Sequence, residues 1–344
     1  MPQYDVPALR ETNTPEAPMP VVSRAIDLQH TAPRVQLALD SVGVTGVERT
    51  IRLADGVLYA ARLDAQVDLS HARMGVHMSR FHEMFSEAVD EAILAAGPLA
   101  IDQLAARIAQ AVVDRQDGTR SLVDIRAATH IADETPVSGL ITQEPVELIG
   151  MAAAGEGDTR RVAGVSAVGI NACPCAQGLV RTQAESDLAE AGFTPQQVET
   201  VLGVVPIATH NQRGQGTLLV GLATGDAPSP DAGVLVDIVR DSMSARIHEL
   251  LKRSDELHVV TAAHANPKFV EDGVRDMLTG VLGDRRLTLG EHDLVSARLV
   301  NFESIHTHEV FAVRTGTVRD LRTELDDPSH AGDRVGIAQW LLKS

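Results

Sequence analysis

The chain has 344 residues, 44% of them hydrophobic, with 47 Asp plus Glu against 30 Lys plus Arg and a formal net charge of −17. That apolar fraction excludes a wholly disordered chain, and the length fits about two domains. No apolar run approaches the ~20 residues of a membrane span, no apolar leader opens the sequence, and no basic stripe suits nucleic-acid phosphates.

The expectation is a cytoplasmic protein without membrane or nucleic-acid partners. Only Lys252, Lys268 and Lys343 are lysines; the other 27 cations are arginines, and aromatics make up 3%. An acidic, lysine-poor surface suits a halophilic cytoplasm, where screening removes self-repulsion; the alternative is an acidic protein from an arginine-biased genome. With Cys173 and Cys175 alone, a disulfide framework is excluded, and the i, i+2 pair points to ligand or nucleophile chemistry.

In chain order, residues 1–35 carry six prolines with little periodicity and read as an extended arm. Residues 47–69 alternate around Asp55-Gly56, a hairpin signature. From Met78, the recurrence of Phe81, Met84, Phe85, Ala88, Val89, Ala92 and Ile93 predicts a helix with one apolar face. A second helix is predicted at 100–113, then strands at 119–133 and 145–155. Further on, strands are predicted at 161–172 and 216–223, and a long helix at 231–252. Pro267 is placed to open a last helix reaching Leu282, before strands at 294–303 and 306–317. The polar segment 176–209 reads as an insert with a short helix at 195–202. The duplicated strand and helix order implies an α+β chain of two similar modules, 36–155 and 156–344, each an antiparallel sheet covered by two helices.

Five segments could carry chemistry. In Asn171-Ala172-Cys173-Pro174-Cys175, one thiolate can bind a soft metal while the other acts as nucleophile or proton carrier; the alternative is two small buried hydrophobes. Thr209-His210-Asn211-Gln212-Arg213 packs polar side chains before an apolar strand without a core-forming reason, although a lone His210 is commonly a surface or capping residue. Phe302-Glu303-Ser304-Ile305-His306-Thr307-His308, read as a strand, sets His306 and His308 on one face, for metal, phosphate or proton transfer or simply for solvent, with Glu303 on the other. Lys252 and Lys268, two of only three lysines, lie with Arg253 near the last helix, as ligands or as helix-end charges. His77, Ser79 and Arg80 at a helix start suit an anion, or ordinary capping by Ser79.

Taken together and in this order, from about Val42 to Val313, His-Met-Ser-Arg, Cys-Pro-Cys, His-Asn-Gln-Arg, Leu-Lys-Arg with Asp-Glu, Asn-Pro-Lys-Phe-Val-Glu-Asp and Phe-Glu-Ser-Ile-His-x-His resemble the type IB GTP cyclohydrolase family, and the halophilic composition with the long insert tilts toward its archaeal branch. The resemblance implies two fused tunnelling-fold modules assembled into a tunnel-forming homotetramer with active sites near subunit boundaries. It implies hydrolysis of the guanine imidazole ring of GTP, with C8 leaving as formate and 7,8-dihydroneopterin 2′,3′-cyclic phosphate as product for methanopterin or folate synthesis. The triphosphate is the alternative product, and a purine or pterin enzyme of another reaction class the alternative activity. By motif, Cys173, His210 and Glu256 would hold one divalent metal per subunit, Fe(II) first, with Zn or Mn as alternatives. Cys175, Glu271, His306 and His308 would be catalytic, Glu271 recognising the guanine edge. His77, Ser79, Arg80, Lys252, Arg253 and Lys268 would contact the phosphates.

Overall fold

The computed structural model describes residues 27–94, 99–155, 159–329, 332 and 334–342. Of the expected extended arm, residues 1–26 lie outside the described residues, and a short 3-10 turn, Leu28–His30, occupies part of the remainder.

The first hairpin joins β1 (Leu39–Arg52) to β2 (Leu58–Leu69). Its turn closes where Gly56, at φ +78°, adopts a conformation that a side chain disfavours, and where the Asp55 carboxylate accepts from Val57 N at 2.9 Å. Helices α1 (Met78–Leu94) and α2 (Ile101–Gln116) follow, then β3 (Ser121–Glu134) and β4 (Ile141–Ala154). Leu104, Ile108 and Val112 recur four apart along α2 and are fully buried; each such side chain contributes roughly 1.5–3 kcal/mol of burial free energy.

The second half runs β5 (Arg160–Ala172), α3 (Pro174–Glu190), α4 (Pro195–Val204), β6 (Asn211–Leu222), α5 (Ala232–Asp241), β7 (Ala245–Arg246), α6 (Arg253–Ala265) and α7 (Val270–Gly283). It closes with β8 (Leu294–Asn301), β9 (Val310–Thr317), α8 (Val318–Asp326) and α9 (Ile337–Leu341). One antiparallel sheet runs through both halves in the order β1-β2-β3-β4-β5-β6-β8-β9. The halves meet at the β4–β5 ladder, from Val146 opposite Ala167 to Ala153 opposite Arg160. Beyond it β7 takes over, pairing with Gly169 and Ile170.

Alternation along β4 shows where the layers lie. Ala152 and Ala154 belong to the core under α1 and α2, Val146 to the core under α5 and α7. All three have even numbers, so both helix pairs cover the same face. Odd-numbered Ile149 and Ala153 point the other way, into a smaller core closed by Trp340 and Leu341 of α9. The chain is thus an α+β protein of two tandem modules in the tunnelling-fold arrangement. The first runs strand-strand-helix-helix-strand-strand, and the second elaborates that order with α3 and α4 between its first two strands and with β7 and α6 between α5 and α7.

Several predicted elements change. The single helix at 231–252 is α5, then β7, then the approach to α6. The break falls at Ser242-Met243-Ser244, where the Ser242 hydroxyl donates to Val239 O at 2.7 Å and Ser244 bonds to Asn171 and Ala172 of β5, drawing the chain off the helix axis. Pro267 precedes the last helix rather than opening it. Lys268 N donates to Ala172 O at 3.0 Å, holding the chain against β5, and α7 begins at Val270 after an Asp272 carboxylate bond to Phe269 N. The strand expected at 306–317 starts at Val310, because Glu303 and Ser304 turn back toward β6. The insert 176–209 is mostly helical. No side chain of α3 is buried, so it carries no apolar stripe by which periodicity could have found it.

Candidate active site

The ends of β5, β6 and β8 converge on Cys173 and His210. The ladder pairs Ala172 with Asn211, which places the next residue of β5 beside the residue preceding β6. Cys173 N donates to His210 O at 3.1 Å, and the Thr209 hydroxyl donates to Cys173 O at 2.7 Å. Cys173 is also the N-cap of α3, its Sγ accepting from Ala176 N at 3.5 Å, with Pro174 in the first turn where a missing amide hydrogen costs nothing. Cys173 is half-buried and Cys175, one position inside α3, is exposed. The two sulfurs therefore occupy different environments.

His210 is oriented by three neighbours. Nδ1 lies 3.0 Å from Gln212 Oε1, 3.5 Å from Ser304 Oγ and 3.9 Å from Glu303 Oε2. With Nδ1–H donating to Gln212, Nε2 keeps a free lone pair. Gln212 Nε2 in turn donates to Glu303 Oε1 at 3.4 Å, and the Glu303 side chain is 7% exposed. Glu303, expected to face away from the histidine pair, is thus the buried carboxylate beside His210. The loop that carries it holds His306 and His308, both exposed, with rings stacked at 5.1 Å and 17°. They lie in a loop rather than on a strand, yet their rings are paired.

Beneath Cys173 lies a buried polar network that sequence reading did not single out. Asn171 Nδ2 donates to Asn301 Oδ1 at 2.8 Å, Ser244 N to Asn171 Oδ1 at 3.1 Å, and Ala172 N to Ser244 Oγ at 3.1 Å. Asn266, from the Asn-Pro-Lys run, donates to Ser244 O at 3.2 Å and so ties the α6–α7 connection to the same point. A Cβ at Gly214 would stand 3.1 Å from both Asn171 Nδ2 and Asn301 Oδ1, which explains a glycine there. The available signal was Asn171 and Asn301, amides ending otherwise apolar strands.

The other expected site residues are dispersed over several elements. Lys252, Arg253 and Glu256 are exposed around the start of α6. That helix is anchored by Asp255, whose carboxylate accepts from Val137 N, Ser138 N, the Ser138 hydroxyl and Lys252 N at 2.6–3.0 Å. Burial pushes that carboxyl up, but these four donors outweigh it and hold it well below the ordinary carboxylate range. Glu271 is exposed in the first turn of α7, on a cleft of about 550 Å³ walled by Val274, Leu278, Val313 and Leu321 with Arg275 and Arg314. Neither Glu256 nor Glu271 makes a hydrogen bond to Cys173 or His210. Lys268 lies against β5, but its ammonium is spent on Asp276 at 2.7 Å and Ser242 O at 3.1 Å. Arg80 donates to Arg115 O at 2.7 Å, Ser79 is exposed, and His77 turns toward Asp27 and His30.

The donors at the sheet end fit a divalent ion in kind: a half-buried thiol on a helix N-terminus and an imidazole whose other nitrogen is tied down. Cys173, His210 and Glu256 do not, however, gather as a close trio. Among the described residues, the group of three potential ligands whose atoms all lie within 4.8 Å of one another is Asp27, His30 and His77.

A family model described as Type I GTP cyclohydrolase folE2 matches residues 26–312. A protein named GTP cyclohydrolase MptA from Methanococcus maripaludis is 37% identical over 309 residues, covering 87% of this chain and 97% of that one. Another of that name, from Haloferax volcanii, is 38% identical over 304 residues, covering 87% and 98%. Among solved structures, uricase from Arthrobacter globiformis aligns with a TM-score of 0.43 at 9% identity, covering 83% of this chain and 96% of that one. No helix among the described residues is long and apolar enough to cross a membrane. With a family model spanning most of the chain and relatives above one-third identity over nearly their whole length, the chain belongs to the type I GTP cyclohydrolase folE2 family and is a hydrolase of that class.

Proposed function

We propose that this chain hydrolyses the guanine imidazole ring of GTP, releases C8 as formate, closes the rearranged ribose carbons onto the freed amine with loss of one water, and yields 7,8-dihydroneopterin 2′,3′-cyclic phosphate in pterin synthesis. Diphosphate leaves as a side-chain hydroxyl attacks the innermost phosphorus. The reaction uses one divalent ion per subunit, Fe(II), in a homotetramer with active sites near subunit boundaries. The observation that carries this reading is the backbone bond joining Cys173 to His210, which sets a thiol-bearing and an imidazole-bearing residue side by side at one end of the sheet. Family membership over residues 26–312 supplies the substrate.

Cys173 and His210 would hold the ion, and Glu256, which does not gather with them in this structure, is the carboxylate ligand that the family motif supplies. When bound, such a cation supplies Lewis acidity that makes water nucleophilic near neutral pH. Everything else falls to the chain. Gln212, itself held by Glu303, fixes the His210 ring through Nδ1, so that Nε2 would be the nitrogen left to hold the ion. Glu271 accepts the paired N–H donors of the guanine edge, an arrangement that adenine lacks. Two waters are consumed, one opening the ring and one releasing formate, and each cleavage needs a proton on the departing nitrogen. Cys175, at the exposed start of α3, and the stacked His306 and His308 are the proton carriers. Lys252 and Arg253, at the amide end of α6, take the phosphates, helped by Ser79 and Arg80.

The test is mass analysis of the product made from GTP by anaerobically iron-loaded protein in molar salt. The cyclic phosphate and an equivalent of formate are expected. A triphosphate product would correct the product assignment, and unchanged GTP would overturn the function.

A further inference from the structure

We propose that Asp27, His30 and His77 form a second, thiolate-free divalent-metal site that staples the segment before β1 to the start of α1. Asp27 Oδ2 is hydrogen-bonded to His30 Nδ1 at 2.8 Å and lies 3.3 Å from His77 Nε2, and one ligand atom from each of the three residues falls within 4.8 Å of the others. Tetrahedral zinc with bonds of about 2.0–2.1 Å holds neighbouring ligand atoms roughly 3.3 Å apart, so the His77 spacing matches a ligand shell and the Asp27–His30 pair would open by about 0.5 Å to admit an ion. The His77 nitrogen supplies independent evidence. Nε2 is buried without a hydrogen-bond partner although the Asp27 carboxylate is within reach. A buried ring nitrogen facing a carboxylate without bonding to it is costly as protein alone and satisfied by a shared cation.

The surroundings are those of a metal histidine. His30 Nε2, on the far side of the ring from Asp27, faces Asp117 Oδ2 at 3.7 Å, just outside hydrogen-bond reach, where a small movement of the ring would give it an outer carboxylate partner. Asp117 ends α2 with φ at 50° and is paired with Arg73 at 3.5 Å. The buried Gln116 side chain brackets the His77 backbone, accepting from its N–H at 3.1 Å and donating to its carbonyl at 2.9 Å. The two sides are already joined by main chain, since Met74 N donates to Gln29 O at 3.1 Å. Two imidazoles and a carboxylate without sulfur suit Zn(II) or Co(II), with solvent as fourth ligand.

Cobalt(II) titration of the full chain, read by absorption and by metal content after desalting, tests the site. It also separates it from the proposed Cys173 centre, because only a thiolate ligand gives an intense near-ultraviolet charge-transfer band. His30→Ala and Asp27→Asn are expected each to lose about one equivalent of cobalt while keeping that band, and Cys173→Ala to lose the band while keeping the His30-dependent equivalent. Zinc should also slow proteolytic cleavage before Met74 in the wild type and not in His30→Ala. Cobalt content unchanged in both His30→Ala and Asp27→Asn would overturn the proposal, whatever happens to the thiolate band.

Discussion

Asn171 shows how much a single amide can decide. It joins Asn301 on β8 to Ser244 in the bend after α5, all of them buried, and so fixes the end of β5 from which Cys173 projects. Asn171→Ala strands the Asn301 side chain and Ser244 N, and an unsatisfied buried group costs about 1–3 kcal/mol. A drop of that order in urea stability is the expected outcome, with wild-type-like stability arguing against the network. His248 sets a pH dependence. Its side chain is 4% exposed; burial pushes its pKa below the ordinary 6.5, Arg240 and Arg246 push the same way, and Asp133 and Glu144 resist. A depressed native value means that this contribution to stability is complete above 6.5 and is lost as pH falls below it. Denaturant midpoints should therefore fall between pH 7.5 and 5.5, and His248→Gln should flatten that slope; an unaltered slope would remove His248 from the account. Chemical identity was legible at this scale, since the Cys-Pro-Cys and His-Asn-Gln-Arg runs stand out. Orientation was not: Glu303 reaches His210 only because its segment leaves the strand path, and alternation cannot foresee a loop.

At the scale of elements, amphipathic helices and alternating strands announce themselves because one face must be buried. Helices α1 and α2 and the turn and second strand of the first hairpin were therefore readable to within a few residues, whereas β1 begins at Leu39, eight residues before the expected start. Helix α3 was not, having no buried side chain, and the break between α5 and α6 was hidden because Met243 and Ile247 continue an apolar spacing that serine hydrogen bonds interrupt. Elements are also fastened by groups that periodicity ignores. Asp102 in the first turn of α2 is fully buried against Arg161 of β5 at 2.5 Å and accepts from the Ser229 hydroxyl at 2.7 Å, linking the first module to the second. Removing one partner of such a pair leaves a buried charge and costs about 3–5 kcal/mol. Asp102→Ala should lose that much in equilibrium unfolding, and a loss under 1 kcal/mol would show the pair to be dispensable.

For the whole molecule, the duplicated order of strands and helices was visible in the sequence, whereas the closing α8 and α9 were not. The net charge of −17 has a consequence of its own. Self-repulsion is screened as the Debye length shrinks from about 10 Å at 0.1 M salt to about 3 Å at 1 M. The melting temperature is expected to rise between 0.1 and 2 M KCl, and a fall would contradict the salt-adapted reading of the composition. The central claim is that Cys173 and His210 hold the ion that opens a purine ring. Its most direct measurement is release of labelled formate from GTP carrying carbon-14 at C8, by iron(II)-loaded wild type and Cys173→Ala. One labelled formate per GTP consumed, abolished in the variant, is the predicted result. Label retained in the product, or release undiminished without the Cys173 thiol, would contradict the account.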